Sequence, residues 1–129
     1  MSAASEKSEL RTRYRFERRE RYLDHSFSYL ATSSEFSKAS VIASYISYGD
    51  EPNTSDLNQA LLKSGKELYL PRVSGENIEW VRWSGAGDQL VPSKLSKNLM
   101  EPVGPVLTDL AMIQVVVVPA LRIDRSGYR

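Results

Sequence analysis

The side chains able to do chemistry fall into a few groups. Six arginines crowd between positions 11 and 21: Arg11, Arg13, Arg15, Arg18, Arg19 and Arg21, with Glu17 and Glu20 the only acids among them. Such a run reads either as a solvated helix face with local Glu–Arg pairs or as a surface for an anion, nucleic acid or nucleotide phosphate. Asp50-Glu51 follows a β-branched, aromatic segment. A carboxylate beyond the carboxyl end of a strand can accept hydrogen bonds from the N–H groups of a heterocycle. An ordinary acidic turn has the same pattern. Trp80 and Trp83 fall on opposite faces of one strand if alternation holds, so at most one faces the core cleanly and the other offers a flat stacking surface. The single histidine, His25, rules out two-histidine metal sites and has no partner pattern around it. With no cysteine, disulfides, thiolate zinc sites and cysteine nucleophiles are excluded. There is no P-loop, no GxGxxG and no zinc motif.

The elements that must position these groups follow from periodicity and punctuation. Leu10, Tyr14, Leu23, Phe27 and Leu30 recur at helical spacing, which predicts one long amphipathic helix from Glu6 to Ala31 with a basic outer surface. Thr32-Ser33-Ser34 breaks it, and Ser34 is placed to cap a short turn through Phe36 and Ala39. Val41 to Tyr48 reads as a strand and residues 49–53 as a turn. Thr54 or Ser55 then caps a helix through Leu57, Leu61 and Leu62, with Gly65 at the C-terminal glycine position. Glu67 to Val73 is a second strand, so a βαβ unit and a parallel sheet are expected. A turn at residues 74–77 leads into a strand from Ile78 to Trp83. Residues 84–106, rich in Gly, Pro and Ser, are expected to be mostly loop, and Leu107 to Met112 one helical turn. The continuous apolar run Ile113 to Val118 predicts a central strand buried on both faces, ended by Pro119.

The 129 residues allow one domain or most of one. The 17 basic and 16 acidic side chains leave a formal charge of +1, which disfavours a nucleic-acid-binding role without a helix-turn-helix or RRM pattern. The longest apolar run is far short of the ~20 residues a spanning helix needs. The small, polar N-terminus has no secretory h-region, and a cytoplasmic location is expected. The chain stops one loop past its most strand-like segment, which reads as a domain that has been cut.

In order along the chain, several short motifs resemble the 5-formyltetrahydrofolate cyclo-ligase (methenyltetrahydrofolate synthetase) family. Lys7-Ser8-Glu9-Leu10-Arg11 is similar to its K-x-x-L-R on a basic N-terminal helix. Gly49-Asp50-Glu51 with Thr54 resembles the loop after its first strand. Gly65-Lys66 followed by Leu70-Pro71-Arg72 resembles its G-K … L-P-R step, and Glu101-Pro102 its E-P loop. Val117-Val118-Pro119-Ala120-Leu121 with Asp124, Gly127 and Arg129 resembles (V/M)-P-G-L-x-F-D-x-x-G-x-R. Each motif alone is weak; five in order and spacing are specific. Ala120 replaces the family's glycine and Ile123 its phenylalanine, both changes of packing scale. The arginine matching Arg129 opens a family stretch of the type R-L-G-R-G-G-G-Y-Y-D, and the chain stops at that arginine, before the phosphate cradle and the metal-binding aspartate.

The resemblance implies an α/β fold with a three-layer, open, mainly parallel sheet, Rossmann-like and of the NagB/RpiA/CoA-transferase-like kind, as a single domain over residues 1–129 with its C-terminal part missing. It implies an enzyme that uses ATP and Mg²⁺ to convert 5-formyltetrahydrofolate to 5,10-methenyltetrahydrofolate, through phosphorylation of the formyl oxygen and attack by N10. By resemblance Lys7, Ser8, Glu9, Leu10, Arg11 and Arg129 bind ATP. Lys7 and Arg11, four residues apart on one helix face, suit a phosphate chain. Glu51 and Ile46 match substrate contacts, Trp80 or Trp83 would flank the p-aminobenzoyl ring, and no metal ligand is expected within these residues. The implied partners are a folate and ATP, with no nucleic acid and no membrane, and a monomer is expected. The alternatives are a non-catalytic folate- or nucleotide-binding remnant lacking the glycine-rich loop and, further off, a nucleic-acid-binding basic helix on an unrelated sheet.

Overall fold

A computed structural model describes residues 3–120 and 123–126. Helix α1 spans Ala3–Glu20 and a 3-10 helix follows at Ser28–Thr32. After them come helix α2 (Ser34–Lys38), strand β1 (Val41–Ala43), helix α3 (Ser55–Lys63) and strands β2 (Glu67–Ser74) and β3 (Asn77–Trp83). Two short strands, β4 (Leu90–Pro92) and β5 (Met100–Pro102), a final strand β6 (Val115–Val116) and two further 3-10 turns, Gly87–Gln89 and Leu110–Met112, complete the described elements.

The fold is α/β with a mixed, mainly parallel four-stranded sheet in the order β3-β2-β1-β6. β1 runs parallel to β2 in the register Ile42↔Leu68 and parallel to β6 in the register Ile42↔Val115. β3 returns antiparallel on β2, pairing Leu68 with Trp83 through Ser74 with Asn77. The expected strand–helix–strand unit is therefore present as β1–α3–β2. Leu57 and Leu61 on α3 close over Ile42, Leu68, Leu70 and Trp83, and Phe36 and Ala39 extend the same core. Gly65 takes φ +81°, the left-handed turn expected after α3, and its N–H bonds the Leu62 carbonyl.

Four expectations change. The long helix over Glu6–Ala31 ends at Glu20. Residues 22–26, Tyr-Leu-Asp-His-Ser, are mostly weak helix formers, and Asp24 accepts from Asn53 Nδ2 at 2.9 Å. Phe27 and Leu30 reach the core through the 3-10 turn instead. The strand over Val41–Tyr48 pairs only as far as Ala43. Beyond it the Tyr45 carbonyl accepts from Thr54 Oγ1 (2.6 Å) and Asn58 Nδ2 (3.0 Å), so side chains of α3 and its N-terminal approach take over from the ladder. The loop over 84–106 contains the β4–β5 antiparallel ribbon, too short and too proline-rich to show a period. Among the described residues the run Ile113–Val118 lies at the sheet edge and not at its centre: β6 pairs only with β1, and Val116 and Val118 are 51% and 50% exposed. Val115 and Val117 pack on the core while Val116 and Val118 wall a cleft, which explains why the sequence is apolar at every position.

Gln114 sets the entry into β6. Its side-chain oxygen accepts from the amides of Ser40 (2.6 Å) and Val41 (3.1 Å), and its own N–H bonds the Val41 carbonyl.

Candidate functional site

The carboxyl ends of β1 and β2, the start of β3 and the residues after β6 surround a cleft of about 310 Å³. Its walls are mostly apolar: Ile46 and Tyr45 after β1, Leu70, Pro71 and Val73 on β2, Ile78 and Trp80 on β3, Met100 on β5, and residues 116–119. Two carboxylates stand among them, Glu51 and Glu101. The position agrees with the general rule that open α/β sheets bind ligands beyond the carboxyl ends of their strands. Apolar walls with a few placed acceptors suit a flat heterocycle bearing N–H donors.

The two tryptophans separate as alternation requires. Trp83 is 6% exposed in the core and donates from Nε1 to the Ala86 carbonyl at 2.9 Å. Trp80, half-buried on the other face, lines the cleft.

Glu51 is set by local geometry. Gly49 takes φ +62°, which lets the chain reverse so that the Glu51 N–H meets the Tyr48 carbonyl at 3.2 Å. Glu51 Oε1 in turn accepts from the Tyr48 N–H at 2.9 Å. The base of this loop is fixed by a buried polar group. Ser44 Oγ donates to Asn58 Oδ1 at 2.7 Å, and Thr54 and Asn58 both hold the Tyr45 carbonyl. Thr54 therefore occupies the cap position of α3 without capping it, and the Ser55 N–H is met by Asn53 Oδ1 instead. The Tyr45 hydroxyl donates to the Pro52 carbonyl at 2.9 Å. Burial first, and the nearby Glu51 charge second, push its pKa up to about 12, with Arg18 acting in the opposite direction.

Glu101 is buried and accepts from the Val73 N–H at 2.8 Å, joining the β4–β5 ribbon to the end of β2. Arg72 Nη1 reinforces that junction by donating to the Gly104 carbonyl at 3.3 Å. The sequence shows Glu101-Pro102 only as a motif; nothing in its spacing announces that the carboxylate faces the cleft.

Ile46 and Glu51, five residues apart in sequence, line the same cleft. Lys7, Ser8, Glu9, Leu10 and Arg11 lie exposed on the first turns of α1, and none is among the residues lining it. Arg129 lies outside the described residues. Arg18, one of the run that the sequence leaves open between a solvated face and an anion surface, forms an ion pair with Asp50 (Nη2 to Oδ1, 2.9 Å). Arg13 pairs with Glu17 on the helix surface. Among the described residues no three His, Asp or Glu side chains gather as a metal site, and no helix is long and apolar enough to cross a membrane.

Comparison with known proteins identifies the family and the fold. The sequence model of the 5-formyltetrahydrofolate cyclo-ligase family matches residues 3–129, and the chain belongs to that family. The solution structure of 5,10-methenyltetrahydrofolate synthetase from Aquifex aeolicus is similar to it, with 26% identity and a TM-score of 0.71. The match covers 93% of this chain and 66% of that one, so the chain spans about two-thirds of its structural relative. No curated protein sequence matches.

Proposed function

We propose that this chain forms the folate-binding part of an ATP-dependent 5-formyltetrahydrofolate cyclo-ligase, a protein of one-carbon folate metabolism. The observation that carries the reading is the apolar cleft at the strand ends, with Glu51 and Trp80 on its lining. In this reading the pterin ring enters between the apolar walls and presents its N–H edge to Glu51. Trp80 lies along the p-aminobenzoyl ring, and Ile46 contacts the substrate from the strand side. Excluding water from the formyl group matters because a phosphorylated formyl oxygen would otherwise be hydrolysed.

The reaction proposed for the whole protein begins with the formyl oxygen attacking the γ-phosphorus of ATP and releasing ADP. N10 then attacks the formyl carbon, N10 loses its proton, and the C–O bond breaks to release inorganic phosphate. The protein's part in such a transfer is mainly placement and charge neutralisation. Lys7 and Arg11 supply cations four residues apart on α1 and, with Arg129, would hold the phosphates. Bound Mg²⁺ would offset charge on those phosphates; the described residues gather no ligand set for it, and the roles proposed for this chain's side chains do not pass through it.

Isothermal titration calorimetry of the chain with 5-formyltetrahydrofolate tests the reading. Saturable one-to-one binding is expected, and a folded chain that binds no folate would overturn it. Formation of the methenyl product, read by its absorbance with ATP and Mg²⁺ present, separates an enzyme from a binding remnant.

A further inference from the structure

We propose that the Arg18–Asp50 ion pair is a positioning clamp that fixes loop 46–53 on α1, so that Glu51 stays turned into the cleft. The functional half of this inference rests on the reading of Glu51 as a folate contact; the mechanical half does not. Both Nε and Nη2 of Arg18 reach Asp50 Oδ1, at 3.1 and 2.9 Å. The two side chains are only 22% and 23% exposed, so the pair is better shielded than the Arg13–Glu17 pair on the same helix, where Arg13 is 70% exposed. α1 contributes no buried residue to the core, so packing does not explain why Arg18 meets a residue 32 positions away.

The adjacent carboxylates thus divide their work. Asp50 faces the helix, and Glu51 folds back on the Tyr48 amide and lines the cleft. A second tie, Asn53 Nδ2 to Asp24 Oδ1 at 2.9 Å, grips the far end of the same loop from the segment just after α1. From beneath, the Tyr45 hydroxyl holds the same loop by donating to the Pro52 carbonyl at 2.9 Å. Because Lys7 and Arg11 ride on the helix that Arg18 anchors, displacement of α1 would reach the folate loop through this pair.

The test is a double-mutant cycle on the purified chain with Arg18→Met, Asp50→Asn and the double variant, and Arg13→Met as control. Two quantities are read: hydrogen exchange at the Tyr48 and Glu51 amides, and calorimetric affinity for 5-formyltetrahydrofolate. Each single variant should raise exchange in the loop and weaken folate binding by about fivefold, with no further loss in the double variant. Arg18→Lys should keep part of the protection, and the β1 amides should exchange as in wild type. Unchanged loop exchange, or single effects that simply add, would overturn the clamp. Faster exchange with unchanged folate affinity would overturn its positioning role. If the wild-type chain binds no folate but its exchange follows the predicted cycle, the folate reading fails and the clamp stands.

Discussion

Replacing Glu51 separates its structural task from its proposed ligand task. One carboxylate oxygen, Oε1, accepts from the Tyr48 N–H at 2.9 Å inside a turn already closed by the Glu51 N–H. Glu51→Gln keeps a side-chain carbonyl for that amide and removes the charge and one acceptor from the cleft. Hydrogen bonds to charged groups contribute about 1.5–3 kcal/mol, so folate affinity should fall roughly 10- to 150-fold. Stability should hardly change, because the turn bond survives. Glu51→Ala removes both functions, and should add a loss of about 1 kcal/mol in unfolding free energy to the loss of binding. Calorimetric titration with 5-formyltetrahydrofolate and urea unfolding of the same samples read the two effects independently. ATP affinity should be the same in both variants. Glu51→Gln binding folate like wild type would refute the assignment of Glu51 to the pterin edge. Equal losses for folate and ATP would show that the loop, and not one ligand contact, had been lost.

The remaining predictions concern the ground on which that loop stands. Asn58→Ala strips the acceptor from the buried Ser44 hydroxyl and one of two donors from the Tyr45 carbonyl, and should lower stability by about 2–4 kcal/mol in urea unfolding. Because the Tyr45 hydroxyl is held protonated to about pH 12 in the fold against 10.0 for the ordinary group, its contribution is complete below pH 10.0 and lost as pH rises towards 12. Unfolding free energy should therefore fall by up to about 1.4 kcal/mol per pH unit in that window, as the unfolded chain releases the proton first, and Tyr45→Phe should remove that component. Tyr45→Phe should also cost about 1 kcal/mol at neutral pH through the lost bond to the Pro52 carbonyl, measured by denaturant titration.

What could be read in the sequence was whatever local chemistry decides. Gly65 after Leu61-Leu62 marked the end of α3 because only a left-handed residue closes that turn, and the β1–α3–β2 unit followed from it. The alternation that split Trp80 from Trp83 held because β3 pairs with β2 over its full length. Ile46 and Glu51 came from the family resemblance, with Ile46 expected on the strand leading into the Glu51 loop; the strand instead ends at Ala43, so Ile46 lies beyond it. Long-range competition was not legible. Nothing around Val41–Tyr48 shows that Thr54 and Asn58 would claim the Tyr45 carbonyl and end the strand at Ala43. The helical spacing of Leu23, Phe27 and Leu30 continued past Glu20, yet Leu23 is left exposed, and Phe27 and Leu30 reach the core at the start of and within a 3-10 turn. Arg18 looked like its neighbours in the basic run, and its partner lies 32 residues away. Glu101 likewise required a tertiary fold before its carboxylate could be placed against Val73.

The position of β6 has a consequence for how the chain assembles. β2 and β3 are joined by a tight turn at Gly75, and β1 reaches β2 through a single helix, so these pairings close short loops. β6 meets β1 only after the chain has returned from 73 residues away, the separation of Val41 and Gln114. The entropy of closing a loop rises with its length, so β6 should dock after the β1–β2–β3 platform has formed. The cleft draws its lining from both groups: Ile46, Glu51 and Trp80 from the early platform, and residues 116–119 from the late strand. A platform without β6 would have one wall of the cleft missing. A ligand that needs both walls binds only the docked state, so it stabilises the last step of folding in proportion to the logarithm of its concentration over its dissociation constant.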